Sequence, residues 1–172
     1  MGKLYGLLAA RGAEKRLREA RRLMENETPL KRDCGRLCDG ACCQSDESGQ
    51  NGMLLYPFEE RFYQKPIEGF PFRLVDDDTL AKGGKRLICE GECLREHRPL
   101  KCRLFPLRLR VVTEDEGATA HCEAELEPAA WAVCPLCEQG VQALSQSFVQ
   151  AAEQAGNELV RQTDLLEALY RE

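Results

Sequence analysis

Ten cysteines, gathered in three short stretches, constrain this 172-residue chain more than any other feature. They are Cys34, Cys38, Cys42 and Cys43, then Cys89, Cys93 and Cys102, then Cys122, Cys134 and Cys137. A chain of this length buries enough apolar surface to fold without covalent cross-links. We therefore expect the cysteines to do something other than replace a hydrophobic core.

Three interpretations of the cysteines compete. A disulfide framework requires an oxidising compartment, and the residues before Arg11 hold no apolar run long enough for a signal peptide. Inert buried thiols fit one or two of the cysteines, but not the first group, whose neighbours are mostly polar residues and glycines. Ligation of a metal by thiolates explains the short intervals in a chain that we expect to be cytoplasmic. We therefore interpret the set as metal ligands.

Composition and charge bear on the partners. The sequence has no run of about 18 apolar residues, so it predicts no transmembrane helix. In its basic N-terminal stretch, the arginines are interleaved with Glu14, Glu19 and Glu25, and no aromatic residues that could stack on bases accompany them. That pattern is typical of a solvated helix face rather than a nucleic-acid site. We expect no nucleic acid and no membrane as partner, whereas an unknown protein partner stays open.

The hydrophobic pattern predicts a mainly α fold with a small antiparallel β element (α+β). An amphipathic helix is predicted over 12–26, with Leu17, Ala20 and Leu23 or Met24 on one stripe. A second helix is predicted to follow Pro57, over 58–64. Helical spacing returns from Pro135 to Glu172, with Gly156 as a candidate break.

Strands are predicted at 72–75 and 86–88, and a hairpin is predicted to join 104–113 to 118–122. Trp131 is interpreted as a core or capping aromatic. We treat 1–172 as a single cysteine-cluster domain with metal held at one end of a helical scaffold. Its parts are an N-terminal amphipathic helix over 1–30, a cysteine-rich core over 31–137 and C-terminal helices over 138–172.

The first cysteine group contains an adjacent pair. Gly35 and Gly40 favour a loop over a helix in this stretch. In an extended chain, neighbouring residues point to opposite sides, so Cys42 and Cys43 favour two sites or a polynuclear cluster. That is an argument for an iron–sulfur cluster over a single zinc ion. The alternative is that one member of the pair is a buried free thiol.

The second stretch carries a resemblance. Arg98-Pro99-x-x-Cys102-Arg103-x-Phe-Pro106, downstream of Cys34-x3-Cys38-x3-Cys42-Cys43, resembles the YkgJ-type cysteine-cluster family. That family is described as zinc- or iron-chelating, and flagellin lysine N-methylases carry a related cluster. The matching positions run from Cys34 to Pro106, with three residues between the early cysteines where the family pattern has two. The resemblance implies that Cys38, Cys42, Cys43, Cys89, Cys93 and Cys102 are ligands, together with Cys34.

The basic residues of the second stretch are candidates to neutralise the negative charge of a thiolate metal site. Four thiolates on zinc or on an oxidised cubane leave a formal charge of about −2 to be neutralised. His97, Arg98, Lys101 and Arg103 surround Cys102 in the sequence, so we name Arg98 and Arg103 as candidate cofactor-binding residues. The alternative is that these arginines pair with nearby surface glutamates.

The third stretch is a Cys-x-x-Cys sequence, Cys134 to Cys137, at a predicted helix start. It can supply two metal ligands or act as a redox dithiol. We favour ligation because no preceding strand suggests a βαβ context. Whether His121 or Cys122 is a ligand stays open.

These observations predict a small cytoplasmic metalloprotein that binds an iron–sulfur cluster or zinc and has a redox or accessory role. The predicted metal ligands are Cys34, Cys38, Cys42, Cys43, Cys89, Cys93, Cys102, Cys134 and Cys137. One alternative is a zinc-stapled protein-interaction module, and another is a metal-dependent enzyme related to protein lysine methylation. The sequence holds no serine–histidine–aspartate set and no phosphate-binding glycine loop, so no catalytic residue is predicted.

Overall fold

The computed structural model describes residues 2–31, 34–43, 52–89, 94–114 and 119–172. Within these ranges the chain forms a mixed α+β fold with two small antiparallel sheets. The helices are α1 (Gly2–Leu23), α2 (Leu100–Leu104), α3 (Gln146–Leu159) and α4 (Thr163–Leu169). The strands are β1 (Met53–Leu54), β2 (Phe72–Asp76), β3 (Lys85–Cys89), β4 (Leu107–Glu114) and β5 (Thr119–Leu126). In the part of the chain that is described, no helix is long and apolar enough to span a membrane.

Helices α1 and α3 pack against each other in the main core. Their contact is rich in alanine, and the larger side chains of Leu17 and Phe148 are fully buried beside it. The buried small residues are Ala13 and Ala20 of α1 and Ala152 and Ala155 of α3. Small side chains let two helix backbones approach closely, so apolar burial rather than helix propensity holds α1 in place. The predicted stripe of Leu17, Ala20 and Met24 is confirmed.

The β4–β5 hairpin lies across α3. The two strands pair over their full length, from Leu107 opposite Leu126 to Glu114 opposite Thr119. Gly156 of α3 faces this hairpin so closely that a Cβ atom there would lie 2.5 Å from the Cβ of Cys122. The hairpin confirms the predicted pairing, although its first strand begins at Leu107 rather than at residue 104 and its second strand continues to Leu126 rather than ending at Cys122.

The three-stranded sheet has the strand order β1-β3-β2, and all its strand pairs are antiparallel. It covers a second apolar cluster formed by Leu55, Tyr63, Phe70 and Leu87. Tyr63 packs edge-on against Phe72, with ring centroids 5.5 Å apart. The predicted strands at 72–75 and 86–88 are thereby confirmed within one residue at each end.

Several predicted elements are wrong in detail. Helix α1 begins at Gly2 rather than at residue 12, although Leu7 and Leu8 are exposed and give it no apolar stripe there. The segment after Pro57 forms a 3₁₀ turn over Glu59–Tyr63 rather than an α-helix over 58–64, and Phe58, with a left-handed φ of 71°, lies outside it as the N-cap residue. Trp131 is 58% exposed, so it is not a core residue.

The C-terminal third also differs. Residues after Cys134 first form two 3₁₀ turns, and α-helix begins only at Gln146. Gly156 lies inside α3 and does not break it; the helix ends at Leu159. The glycine is there because the hairpin leaves no room for a side chain, which periodicity alone does not reveal.

Candidate metal centre

The first cysteine group is built on two 3₁₀ turns, Cys34–Leu37 and Ala41–Cys43. Between them, Asp39 and Gly40 take left-handed φ values of 50° and 67°. Aspartate and glycine tolerate that conformation better than other residues, and it turns the chain sharply enough for the Ala41 N–H to donate to the Cys38 carbonyl at 3.0 Å. The loop predicted from Gly40 is therefore a tight double turn.

The sulfur atoms of Cys42 and Cys43 lie 3.9 Å apart, and both residues are exposed. This overturns the argument that the pair points to opposite sides, because the residues sit in a 3₁₀ turn and not in an extended strand. Two thiolates 2.3 Å from one tetrahedral ion are about 3.8 Å from each other. The pair therefore has the spacing of two ligands on a single ion.

The other two thiols of the group act on this pair. The hydrogen bond with Cys43 is the main cause that raises the pKa of Cys42, followed by burial and by the charges of Cys43, Cys38 and Cys34. All four side chains are thus near enough to interact electrostatically. Crowded thiols resist ionisation together, and a bound cation removes that resistance.

The described members of the second group, Cys89 and Cys102, both lie near the second apolar cluster, which contains Tyr63. Cys89 ends β3 opposite Phe72 and packs against the smaller core. Cys102 lies in α2, and its charge is among the causes that raise the pKa of Tyr63, of which burial is the largest. Cys93 lies outside the described residues.

Two cysteines of the third group form a pair in which Cys137 is buried and Cys134 is half-buried. Cys134 and Cys137 bracket the start of a 3₁₀ turn, where the Cys137 N–H donates to the Cys134 carbonyl at 3.1 Å. Burial, followed by the nearby Cys134, raises the pKa of Cys137 to about 11. The nucleophile of a Cys-x-x-Cys redox dithiol is its N-terminal thiol, whereas the thiol with the raised pKa here is the C-terminal one. Ligation and a redox dithiol therefore both stay predictions for this pair.

Arg103 makes its described hydrogen bonds with the backbone. Its guanidinium is 4% exposed and donates to the carbonyls of Arg98 at 3.0 Å, Arg21 at 3.0 Å and Glu96 at 2.7 Å. Burial, and then the charge of Arg21, lowers the pKa of Arg103 to about 10. Arg103 thus ties the second cysteine stretch to α1, and a cofactor-binding role for Arg98 and Arg103 stays a prediction.

His121 and Cys122 belong to β5 and differ in surroundings. His121 is partly exposed, with its Nε2 3.9 Å from a carboxylate oxygen of Glu123. Cys122 is 2% exposed, and burial followed by the charge of Glu172 raises its pKa to about 12. Cys122 is buried because α3 covers this face of the hairpin.

Sequence reasoning missed two residues of this region. Arg95 donates to backbone carbonyls just after α1, and Arg21 lies 3.6 Å from the fully buried carboxylate of Glu59. The Glu59 carboxylate also accepts from the Leu100 N–H at 2.7 Å, which fixes the start of α2. The arginines and glutamates interleaved around Arg21 predicted only a solvated helix face. The partners of Arg95 could not be predicted, because backbone carbonyls are the same at every position of a sequence.

Outside residues 1, 32–33, 44–51, 90–93 and 115–118, no three histidine, cysteine or acidic side chains form a group that could hold a metal ion. Within the described residues the cysteines come together as pairs, Cys42 with Cys43 and Cys134 with Cys137, and not as one group from three stretches. Comparisons with protein-family models, with curated proteins and with solved structures found no match to the chain.

Proposed function

We propose that this chain is a metalloprotein whose first cysteine group binds a tetrahedral metal ion. Cys42 and Cys43 have the spacing of a ligand pair, and Cys34 and Cys38 move in to complete the site when the ion binds, because the described residues hold no group of three ligands already in place. The observation that carries the proposal is the 3.9 Å separation of the Cys42 and Cys43 sulfur atoms. It matches two thiolates on one ion, which suits zinc. When bound, zinc supplies a fixed tetrahedral cross-link and no redox chemistry of its own.

An iron–sulfur cluster is the alternative for the same ligands. A cluster of two irons gives each iron two thiolates and fits the same sulfur spacing, whereas a cubane gives each iron one cysteine and does not. The chain's own contribution is common to both choices. The double turn at Asp39 and Gly40 holds the thiols of this group together.

The test is analysis of metal and acid-labile sulfide in protein purified without oxygen. We expect one tightly bound zinc, no sulfide and no absorbance near 400 nm. Cys42→Ser and Cys43→Ser should each lose most of this metal, and Cys122→Ser is the matched control because Cys122 is buried in the main core. Full metal content in both ligand variants would contradict the proposal, and iron with sulfide would select the alternative.

The second cysteine stretch is tested in the same way. Cys102→Ser should lower metal content and stability together if Cys102 is a ligand, since metal binding and folding are coupled. A Cys102→Ser protein that keeps its metal and its melting temperature removes Cys102 from the ligand set. The first cysteine group is unaffected by that outcome.

A protein-interaction module stapled by zinc is a second candidate. Four exposed apolar residues stand within three positions of a predicted ligand: Leu37, Leu94, Trp131 and Val133. Apolar side chains held outward by a metal-stapled loop are typical of binding surfaces. Stoichiometric zinc and the absence of a reducible centre favour this role, whereas reversible reduction favours a redox role.

A further inference from the structure

Three elements bring five arginines to one open groove, which we call the arginine groove. Its volume is about 540 Å³, within the range of roughly 300–1,000 Å³ that is typical of small-molecule sites. Helix α1 supplies three of the arginines at spacings of three and four residues, which places them side by side on one helix face. The 3₁₀ turn Glu59–Tyr63 and helix α2 supply one each. The arginines are Arg18, Arg21, Arg22, Arg61 and Arg103, and Phe62 lies among them.

Phe62 holds two of these guanidiniums close together. The guanidinium carbon of Arg18 lies 4.6 Å from the centre of the Phe62 ring, and that of Arg21 lies 5.1 Å from it. Arg21 also donates to the Tyr63 hydroxyl at 3.0 Å. The two charges are therefore within about 10 Å of each other, a Debye length at 0.1 M salt, and repel each other. Guanidiniums that are fixed before a ligand arrives lose little conformational entropy when it binds.

The carboxylates around the groove leave two of its arginines without an acidic partner. Among the described residues, the contact of the exposed Arg18 guanidinium is the Phe62 ring, and Arg103 donates to backbone carbonyls. Glu25 also lines the groove, but its side chain is exposed and makes no described ion pair. The arginines that have a carboxylate partner are Arg21 with Glu59, Arg22 with Glu19 and Arg61 with Glu14. The groove thus keeps an excess of positive charge that an anion would offset.

We propose that the arginine groove binds a small anion with two linked phosphate groups, either free pyrophosphate or the phosphate tail of a nucleoside diphosphate. Guanidinium N–H groups match phosphate oxygens two at a time, in a fixed fork. Two guanidiniums held near one ring suit a ligand with more than one phosphate. Because Phe62 already contacts Arg18 and Arg21, the phosphates and not a stacked base carry the recognition. The proposal requires no metal ion at the first cysteine group.

Calorimetric titration of the full chain with inorganic pyrophosphate tests the proposal. Binding should weaken as salt is raised, because salt screens exposed charges. Arg18→Gln should weaken binding by about tenfold, since it removes a charged hydrogen-bond donor, and the exposed position of Arg18 leaves the fold intact. Phe62→Leu should weaken binding by about two- to fivefold, since it keeps an apolar side chain but removes the ring that holds the guanidiniums.

Arg110→Gln is the matched control. Arg110 is 52% exposed on the β4–β5 hairpin and pairs with Glu123 and Glu125. The substitution removes the same charge as Arg18→Gln but lies outside the arginine groove, so it should leave the affinity for pyrophosphate unchanged. An equal loss of affinity in Arg110→Gln and Arg18→Gln would show that only net charge matters, which overturns the site.

Adenosine diphosphate and adenosine distinguish the two sources of the phosphates. Diphosphate that binds like pyrophosphate, with no binding of adenosine, supports recognition through phosphate alone, and tighter binding of the diphosphate selects the nucleotide. Binding of adenosine would overturn recognition through phosphate. Absence of pyrophosphate binding by the wild type would overturn the site itself.

Pyrophosphate also chelates metal ions, so the titration is repeated with Cys42→Ser, which should bind it as the wild type does. Loss of binding in Cys42→Ser, together with unchanged binding in Arg18→Gln, would assign the anion to the metal and overturn the arginine groove. The proposed metal site would stand in that case.

Discussion

At the scale of single residues, Gly156 shows how a position that looks like a helix breaker can be a packing requirement. A Cβ atom on Gly156 would lie 2.5 Å from the Cβ and 2.8 Å from the Sγ of Cys122. It would also lie 3.2 Å from a methyl group of Leu109. The Cβ of Cys122 is fixed by the backbone of β5, so this nearest neighbour cannot rotate away. The glycine therefore sets how closely α3 lies against the hairpin.

We expect Gly156→Ala to destabilise the protein by about 1–3 kcal/mol through overpacking, despite the higher helix propensity of alanine. Urea unfolding measures the change. Gly12→Ala in α1 is the matched control, since its Cβ would meet only the Cγ of Gln162 at 3.9 Å, and it should stabilise by up to about 1 kcal/mol. Equal effects of the two substitutions would contradict the close packing.

Cys122 gives a prediction about pH. Burial, followed by Glu172, raises its pKa to about 12 from an ordinary 9.0. A thiol that stays protonated in the folded state contributes its full stability below pH 9. That contribution is lost as the pH rises towards 12, because the unfolded chain ionises first.

Wild-type stability should therefore fall more steeply than that of Cys122→Ala between pH 9 and 11, by on the order of 2–3 kcal/mol. Chemical denaturation at several pH values measures the two slopes. The slopes are compared rather than the absolute values, because Cys122→Ala also removes packing atoms. Parallel slopes would show that the thiol ionises in the folded protein as it does in water.

At the scale of elements, Arg103 joins α2 to α1 and to the turn at Arg95–His97. Its three carbonyl partners come from Arg21, Glu96 and Arg98. A planar guanidinium reaches several acceptors at fixed angles, and a lysine ammonium does not. The described hydrogen bonds of this one side chain therefore hold three segments of the chain together, and each acceptor is a backbone carbonyl.

We expect Arg103→Lys to cost about 3 kcal/mol, because buried carbonyls lose charged hydrogen bonds. Thermal or urea unfolding measures the loss. Arg22→Gln is the control, since Arg22 is exposed and pairs only with Glu19 on the same helix; it should leave stability unchanged within error. If Arg103→Lys changed the free energy of unfolding only slightly, apolar packing and not the hydrogen bonds of Arg103 would hold these elements together.

Elements differed in how well the sequence predicted them. The hairpin was predictable because Leu107-Arg-Leu-Arg-Val alternates in the manner of a half-buried strand. The 3₁₀ turn after Pro57 was not, since Phe58 takes a positive φ that is rare for a bulky residue. The relative orientation of Cys42 and Cys43 was mispredicted because it depends on the local 3₁₀ turn Ala41–Cys43, whereas the prediction assumed an extended chain.

At the scale of the whole molecule, the described residues form a main core around α1 and α3 and a smaller core under the three-stranded sheet. The apolar stripes that build the main core were visible in the sequence. The placement of the cysteine stretches relative to these cores was not, since the hydrogen bonds of Arg95 and Arg103 described above all end on backbone oxygen. Backbone acceptors are present at every position and so carry no pattern.

The partnership of α1 with α3 also has a consequence for synthesis. Their sequences are separated by more than 120 residues, so α1 is made long before the surface that buries its apolar face. At typical translation rates that interval is about 6–25 s. During this time the first two cysteine groups emerge beside a helix that has no partner. Nascent chains of this protein therefore expose thiols and the apolar face of α1 together until α3 is synthesised.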